Sequence, residues 1–202
     1  MSAVLTTPVL REGFSRIIEK LEICADDLNA LDAALGDGDL GVTMVRGARG
    51  VLAELPNLPD DVGLAFLKCA QAFTKISGST YGTLLATGLT SAAKAAKGRR
   101  ELPWAEISSL LANAIQAMSR RGKGQLGDKT VLDVLEAARA ATEGIEDPAA
   151  LVIAADRAVA ASIDQFRDQP SRQGQARIFA DRSVGKDDPG MVAFKRIIEA
   201  LQ

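Results

Sequence analysis

The sequence contains no histidine, only two cysteines and few aromatic residues, which make up 4% of its 202 positions. Without histidine, the chain cannot use an imidazole general base, a phosphohistidine intermediate, a histidine metal ligand or a Ser-His-Asp triad. Cys24 and Cys69 stand alone in apolar surroundings, where we expect buried thiols. Any catalysis must therefore rely on carboxylates, backbone amides, Lys, Arg, hydroxyl groups or a bound metal.

A charge imbalance and a long apolar run are also missing. The chain has 24 Lys and Arg against 26 Asp and Glu, with no basic run of the kind that binds nucleic-acid backbones. No apolar run approaches the ~20 residues that span a bilayer. The first residues, MSAVLTTPVLREGF, lack the charged start and apolar core of a signal peptide. We expect a cytoplasmic protein that binds neither nucleic acid nor membranes.

Helical periodicity is what the sequence does show. Leu10, Phe14, Ile17, Ile18 and Leu21 follow the spacing of one buried helix face, and no segment alternates apolar and polar residues like a strand. The length suits one domain with a sizeable core. We predict a single all-α domain over residues 1–202, with about eight antiparallel helices. Beyond the first helix, the predicted helical stretches are 42–55, 62–74, 81–97, 104–119, 130–142, 149–166 and 191–201.

Capping residues mark three of the helix starts. Asp147 is a predicted N-cap followed by Pro148 at the first helical position, and Asp188 with Pro189 repeats this arrangement. Asp128 is predicted to cap the helix that follows it.

Four loops between these helices hold the unusual residues. Glycines and hydroxyl residues before a helix leave backbone N–H groups able to bind an anion, so we expect the loops to converge on one ligand. The loops are GDGDLG (36–41), SGSTYG (77–82), RRGKGQLGDKT (120–130) and ARIFADRSVGKDDPG (176–190).

The first loop stands out by its charge. Residues 21–45 contain six acidic side chains and no Lys or Arg, and Asp32, Asp37 and Asp39 fall within eight positions. Carboxylates held this close either face water or share a cation. Their hard oxygen ligands suit Mg²⁺ or Ca²⁺ better than zinc, and the EF-hand pattern is absent. Spacing alone leaves open that these are turn and capping aspartates.

The other loops permit two interpretations each. Ser77, Ser79 and Thr80 form either a phosphate cradle or an ordinary capped helix start, and no P-loop pattern occurs in the chain. Arg182 is either a ligand contact or a surface residue. Four basic side chains of the third loop contact a phosphate or simply face solvent; they are Arg120, Arg121, Lys123 and Lys129.

Taken together, the loops resemble, in order and spacing, the signature segments of the nucleotide-binding L subunit of dihydroxyacetone kinases. The matching segments are LDAALGDGDLGVTMVRG, SGSTYGT, SRRGKGQLGDKTVLDVLEAA and ADRSVGKDDPG, within residues 29–190. The resemblance implies an all-helical barrel that binds ADP or ATP at one end through two Mg²⁺ ions. It also implies that Asp32, Asp37 and Asp39 are the Mg²⁺ ligands, which neutralise a polyphosphate through the metal.

The same resemblance assigns further positions to the nucleotide. They are Leu40, Gly41, Thr43, Ser77, Gly78, Gly122, Val131, Arg182, Asp188 and Gly190. Gly41 and Thr43 match positions next to the phosphates, and Ser77 with Gly78 matches the phosphate-contacting loop. Gly122 and Val131 match positions near the adenine. Arg182 matches a nucleotide-contacting arginine, for which we expect a catalytic role in charge neutralisation.

Several positions depart from the pattern of this family. Members of the dihydroxyacetone type usually carry histidine at the position of Leu40 and asparagine at that of Thr43, and a related fatty acid kinase domain also lacks the histidine. Two further glycines usually precede the serine of the second loop. Lys186 and Asp187 replace a usual His-Gln pair. The aspartates are therefore retained, whereas the phosphate loop differs.

The family also implies a partner. Its sugar is held covalently by a histidine of a separate K subunit or domain, and this chain has no histidine. We therefore expect half of an enzyme, which transfers a phosphoryl group to a small ketose bound on a K-type subunit. The donor is either exchangeable ATP or bound ADP rephosphorylated by a phosphotransferase-system protein. Alternatives are another acceptor, such as a four-carbon sugar or a fatty acyl group, and a non-catalytic nucleotide sensor.

Overall fold

Eight long α-helices and a one-turn helix account for most of the chain in the computed structural model, which describes residues 4–76 and 78–202. This confirms the predicted all-α fold with about eight helices. The helices are α1 (Thr7–Ala33), α2 (Leu40–Glu54), α3 (Val62–Ile76), α4 (Thr80–Ala96), α5 (Ile107–Gly122), α6 (Val131–Ala141), α7 (Pro148–Phe166), the one-turn α8 (Ala180–Ser183) and α9 (Pro189–Glu199). Three 3₁₀ turns lie at Leu55–Asn57, Trp104–Glu106 and Gln175–Phe179.

The long helices form a closed ring. Each of α1 to α6 packs against the next helix in sequence, and α9 packs against both α7 and α1, which closes the barrel. Short connections make sequential neighbours antiparallel. The apolar faces meet inside the ring, where Leu28, Val62, Val134 and Val159 are fully buried.

Helix α1 shows how the sequence sets these elements. It begins beside Pro8, a residue suited to the first turn, and buries Leu10, Ile18, Leu21 and Leu28 along one face. It ends at Ala33, just before the glycine-broken loop, because that loop needs backbone conformations that a helix does not supply.

Two short strands were not predicted. Val4–Thr6 (β1) and Glu101–Pro103 (β2) pair antiparallel, with Leu5 opposite Leu102. Three residues are too few to show an alternating pattern, so the sequence carries no signal for this pair, and the all-α class is unchanged.

Two of the three predicted N-caps are observed. Asp147 accepts from Ala150 N–H and Asp188 accepts from Met191 N–H, which confirms both N-caps. Asp128 does not cap α6. Thr130 does so in a capping box with Asp133, while the carboxylate of Asp128 accepts from the N–H of Gln125.

The barrel therefore has two distinct ends. One, here the site end, carries the connections α1–α2, α3–α4, α5–α6 and α7–α9; the opposite end carries the remaining connections and the β1–β2 pair. Along the described chain, none of the helices combines the length and apolar character needed to cross a bilayer.

Candidate functional site

Three carboxylates meet at the site end. Asp32 lies in the last turn of α1, Asp37 lies in the following loop, and Asp39 occupies the N-cap position of α2. One oxygen atom of each lies within 4.8 Å of the others. Asp32 is half-buried, whereas Asp37 and Asp39 are exposed. The predicted acidic cluster is therefore formed, with an approach from solvent.

Backbone hydrogen bonds fix Asp32 in this cluster. Its Oδ2 atom accepts from the N–H groups of Gly38 (3.0 Å), Asp39 (3.0 Å) and Leu40 (3.3 Å). The loop can wrap around one oxygen because Gly38 has φ +78°, a left-handed conformation that favours glycine. The GDGDL sequence thus turns the chain about the carboxylate before α2 begins.

The pKa values of Asp32 and Asp37 are shifted in opposite directions. Burial raises the pKa of Asp32 above its usual value, and the nearby Asp37 carboxylate adds to this rise against the three N–H donors. A hydrogen bond from the side-chain amide of Gln175 lowers the pKa of the exposed Asp37, with Nε2 lying 3.1 Å from Oδ2. A cation at this position would relieve the repulsion between the two carboxylates.

The donor set fits a hard divalent cation. Three carboxylates without sulfur or imidazole suit Mg²⁺, which keeps several waters and binds few protein oxygens. Space beside the second Asp32 oxygen is kept clear by Gly36, since a Cβ there would lie 2.6 Å from Oδ1. The side chains present therefore fit a metal held by Asp32, Asp37 and Asp39.

Hydrogen bonds join the other site-end connections to one another. We call residues 167–188, which link α7 to α9, the return segment. Its side chains and backbone reach both the acidic cluster and the third loop, and the start of α4 contacts the start of α9. The bonds are Gln175 to Asp37, Gln173 Nε2 to Gly122 O (2.9 Å), Arg172 N to Asp128 O (3.0 Å) and Tyr81 Oη to Gly190 O (2.8 Å).

The predicted residues after the cluster lie within α2. Leu40 is 7% exposed and reaches Asp32 through its N–H, and Thr43 is 8% exposed. Gly41 faces α1, since a Cβ there would lie only 1.9 Å from the carbonyl oxygen of Ala25. Its lack of a side chain therefore serves close helix packing.

The second loop is only partly described. Ser77 lies outside the described residues. Gly78 is exposed, and no heavy atom of the described residues lies within 4 Å of the point where a Cβ would stand. Ser79 caps α4 by accepting from Gly82 N–H at 3.0 Å. The capped helix start expected for Ser79 is thus confirmed.

Three further predicted residues lie on α5, α6 and α8. Gly122 ends α5, half-buried against Leu84, and Val131 begins α6 as a buried residue. Arg182 lies on the one-turn helix α8, whereas the sequence predicted a loop there, and its side chain is exposed.

The start of α9 carries the last two predicted residues. Asp188 caps this helix, and burial raises its pKa to about 6. Gly190 packs against the ring of Tyr81, since a Cβ there would lie 2.9 Å from it. The close fit of Gly190 explains why the aspartate-proline-glycine sequence ends in glycine.

Sequence reasoning missed several residues that organise the site. Gln175 and Tyr81 carry no signal in the sequence beyond their neighbourhood. Asp133 could have been found from the Thr130 capping box, because its carboxylate accepts from Gly127 N–H and Thr130 N–H. For Lys129, the predicted phosphate contact or solvated position was wrong: its side chain is buried and bonded to backbone carbonyls.

Comparison with known proteins identifies the family. The profile of the DAK2 domain matches residues 34–202. The chain belongs to the DAK2 domain family. Among its relatives, it is 31% identical over 180 residues to the PEP-dependent dihydroxyacetone kinase, ADP-binding subunit DhaL, of Escherichia coli K12; the match covers 86% of this chain and 85% of the relative. It is 30% identical to L-erythrulose 1-kinase of Mycolicibacterium smegmatis, covering 95% of this chain and 36% of that protein.

Solved structures of a dihydroxyacetone kinase agree on the fold. The dihydroxyacetone kinase of C. freundii in complex with AMP-PNP and Mg²⁺ superposes with a TM-score of 0.77 at 24% identity, covering 96% of this chain. The native form of that kinase gives a TM-score of 0.75 at 25% identity, covering 95% of this chain. The chain spans about a third of the solved kinase, 33% and 34% in the two structures.

Proposed function

We propose that this DAK2 chain is the nucleotide-binding L-type subunit of a dihydroxyacetone-kinase-type enzyme. The observation that carries the proposal is the meeting of Asp32, Asp37 and Asp39 at the end of the barrel where the return segment and the third loop are also joined. The name of the E. coli relative as an ADP-binding subunit supports the nucleotide, and the AMP-PNP and Mg²⁺ in the C. freundii kinase support the metal.

The acidic cluster would hold Mg²⁺, for which we propose two ions. When bound, Mg²⁺ supplies charge neutralisation on the phosphates of ADP or ATP. The protein's part is to fix the ligands: the three N–H bonds to Oδ2 hold Asp32, so its carboxylate is oriented before any metal arrives. Asp37 and Asp39 face solvent, where a nucleotide can enter.

Nucleotide contacts would come from the surrounding elements. The phosphates are proposed to lie beside Leu40, Gly41, Thr43, Ser77 and Gly78, the adenine beside Gly122 and Val131, and the remaining contacts at Arg182, Asp188 and Gly190. Gly78 is open to the close approach of a phosphate. Arg182, exposed on α8, is the proposed catalytic residue, because a guanidinium neutralises charge that spreads over a transferring phosphoryl group.

The acceptor would be bound by another protein. This chain has no histidine with which to hold a sugar covalently, and it matches about a third of the solved kinase. We therefore propose phosphoryl transfer to a small ketose on a K-type subunit. The names of the E. coli and Lactococcus lactis relatives, PEP-dependent and PTS-dependent, favour a phosphotransferase-system protein as a donor to bound ADP.

A four-carbon acceptor is the second candidate. It is favoured by the similarity to L-erythrulose 1-kinase, of which this chain covers 36%. Dihydroxyacetone and L-erythrulose differ by one carbon, and their discrimination would lie in the K-type partner.

Reconstitution tests the proposal. The purified chain, its cognate K-type subunit, MgATP or a phosphoenolpyruvate-driven phosphotransferase donor, and either ketose are combined, and phosphorylated sugar is followed by ³¹P NMR. We expect product only when both subunits are present, and none with Asp37→Asn. Turnover by the chain alone would refute the half-enzyme. Nucleotide binding without transfer from either donor would favour a nucleotide-sensing regulator instead.

A further inference from the structure

Lys129 has an unusual environment for a lysine. It lies in the third loop with φ +61°, and only 1% of its surface is exposed. Its ammonium nitrogen donates three hydrogen bonds of 2.8 Å each, all to backbone carbonyl oxygens of the return segment. The acceptors are the carbonyls of Arg167, Gln169 and Ser183.

Three acceptors match the three N–H donors of an ammonium group. A neutral amine has only two N–H bonds, so one carbonyl would then face a lone pair. Burial lowers the pKa of Lys129, whereas the carboxylates of Asp188, Asp187 and Asp168 oppose that change. The geometry therefore uses the charged form fully, without a direct carboxylate partner in the described part of the chain.

The three carbonyls lie on two parts of the return segment, which we call its limbs: residues 167–171, after α7, and residues 183–185, after Arg182. Arg167 and Gln169 lie just after α7, whereas Ser183 ends α8, directly after Arg182. The limbs also meet without Lys129: Gly185 N–H donates to Arg167 O, and Ser171 N–H donates to Ser183 Oγ. Lys129 adds a single cation that holds both limbs to the third loop.

Beyond this point, the return segment extends to the acidic cluster. Gln173 donates to Gly122 O, and Gln175 donates to Asp37 Oδ2. These two side chains and Arg182 lie in the stretch between Gln169 and Ser183. Their positions therefore depend on how the two ends of that stretch are held, and Lys129 bonds to both ends.

We propose that Lys129 is a positioning residue, which fixes the return segment, and with it Arg182, against the third loop of the nucleotide site. The effect of Lys129 on nucleotide binding through Arg182 rests on the proposed function. Its holding of the return segment does not depend on that function. We call its three hydrogen bonds the Lys129 clamp.

The first arm of the test needs no ligand. Hydrogen exchange of the apo protein is compared among wild type, Lys129→Met and Ser171→Ala, the last being a matched change in the segment because the Ser171 hydroxyl has no partner among the described residues. In Lys129→Met, we expect faster exchange at Ser171, Arg172 and Gly185 N–H, by roughly tenfold or more. Exchange within α2 and α3 should not change. Unchanged exchange in the segment, or equal acceleration everywhere, would overturn the clamp.

The second arm separates positioning from stability. Affinity for MgADP is measured by calorimetry for Lys129→Met, Arg182→Ala and the double variant. If Lys129 acts through Arg182, the double variant binds no more weakly than Arg182→Ala alone, although Lys129→Met alone loses about fivefold or more. Additive losses would overturn the coupling. Absence of MgADP binding by the wild type would contradict the proposed function, while the exchange result would still decide the clamp.

A second variant guards against misfolding. Lys129→Arg keeps the positive charge, but a planar guanidinium cannot direct three N–H groups from one atom to three carbonyls. Should Lys129→Met not fold, Lys129→Arg carries both arms, with faster exchange at the same three amides expected. Wild-type exchange in Lys129→Arg would overturn the requirement for an ammonium.

Discussion

The two ends of the barrel each use an aspartate to order a loop, yet the two carboxylates differ in what surrounds them. At the opposite end, Asp61 Oδ1 accepts from Leu64 N–H at 2.9 Å and Oδ2 accepts from Gly98 N–H at 2.8 Å. At the site end, three N–H groups converge on Oδ2 of Asp32 alone, and two more carboxylates lie within 4.8 Å. Both oxygen atoms of Asp61 thus accept hydrogen bonds that order the loop. At Asp32, the three N–H groups bond to Oδ2 alone, and Oδ1 is left in the acidic cluster.

Their pKa values move in opposite directions. The hydrogen bond from Leu64 N–H lowers the pKa of Asp61. Burial raises the pKa of Asp32, and the charge of Asp37 raises it further. The number of N–H donors therefore does not set the direction of the pKa shift. Burial does so at Asp32, and the Asp37 charge adds to it, which leaves a negative charge that the metal of the proposed function would compensate.

Substitution by asparagine should separate the two roles most strongly. Asp32→Asn retains the acceptor oxygen on which all three N–H groups converge, so the loop should keep its form while the cluster loses a charge. We expect MgADP affinity to fall at least about 100-fold, since even outer partners of metal ligands account for roughly 10- to 100-fold. Titration calorimetry measures the loss, and unchanged affinity would contradict the metal site.

Asp61→Asn provides the matched control at the opposite end. An amide has one acceptor oxygen, so either Leu64 or Gly98 N–H loses its partner, at a cost of about 1 kcal/mol. We expect the melting temperature to fall by roughly 2–4 °C, with MgADP affinity unchanged. A large loss of affinity in Asp61→Asn would mean that the two ends are not independent.

Glycines at close helix contacts give the next effect. A Cβ on Gly41 would lie 1.9 Å from the carbonyl oxygen of Ala25, and a Cβ on Gly63 would lie 2.6 Å from that of Ala93. Gly41→Ala should destabilise the fold by about 2–3 kcal/mol, and Gly63→Ala by less. Urea unfolding of both variants checks the order. Equal stability of Gly41→Ala and wild type would show that α1 and α2 can separate without cost.

The two ends of α9 provide the most specific prediction. Burial raises the pKa of Asp188 to about 6, so the native state binds its proton more tightly than the unfolded chain does. Stability from this group should therefore fall as the pH rises from about 4 to about 6. Asp188→Asn, which retains a good cap, should flatten this part of the profile by about 1–2 kcal/mol.

Glu199 should show the opposite sign. Burial would raise its pKa, but hydrogen bonds from Lys195, Arg196 and Lys20 outweigh burial and lower the pKa to about 2. Its contribution is present above about pH 4.5 and is lost as the pH falls toward 2. Urea unfolding across pH 2–8 should show a flatter acid limb in Glu199→Gln, with about 1–2 kcal/mol less stability at pH 7. Identical profiles of the two variants would contradict the assigned pKa shifts.

Much of the fold could be predicted because long helices carry a repeated signal. The buried face of α1 and the aspartate-proline starts of α7 and α9 are local features of the sequence. The β1–β2 pair could not be predicted, because three-residue strands form only once the fold brings them together. The N-cap of α6 was assigned to the wrong residue because Lys129 takes a left-handed conformation, and the cap is Thr130 instead of Asp128.

In the site, too, residues that are close together in the sequence could be predicted, whereas residues with distant partners could not. Asp32, Asp37 and Asp39 could be predicted as a group because they lie on one short loop, and their spacing reflects the turn about Oδ2. Gln175 and Lys129 could not, since their partners are 138 and up to 54 positions away in sequence. A lysine in a glycine-rich loop looks solvated until the fold shows which carbonyls surround it.

Titration of ADP into the purified chain, with and without Mg²⁺, tests the central claim most directly. The claim is that the carboxylates at the site end hold the metal through which the nucleotide binds. We predict saturable binding that requires Mg²⁺ and is lost in Asp37→Asn, while Asp61→Asn binds like the wild type. Binding of equal strength without Mg²⁺, or no binding in its presence, would contradict the account.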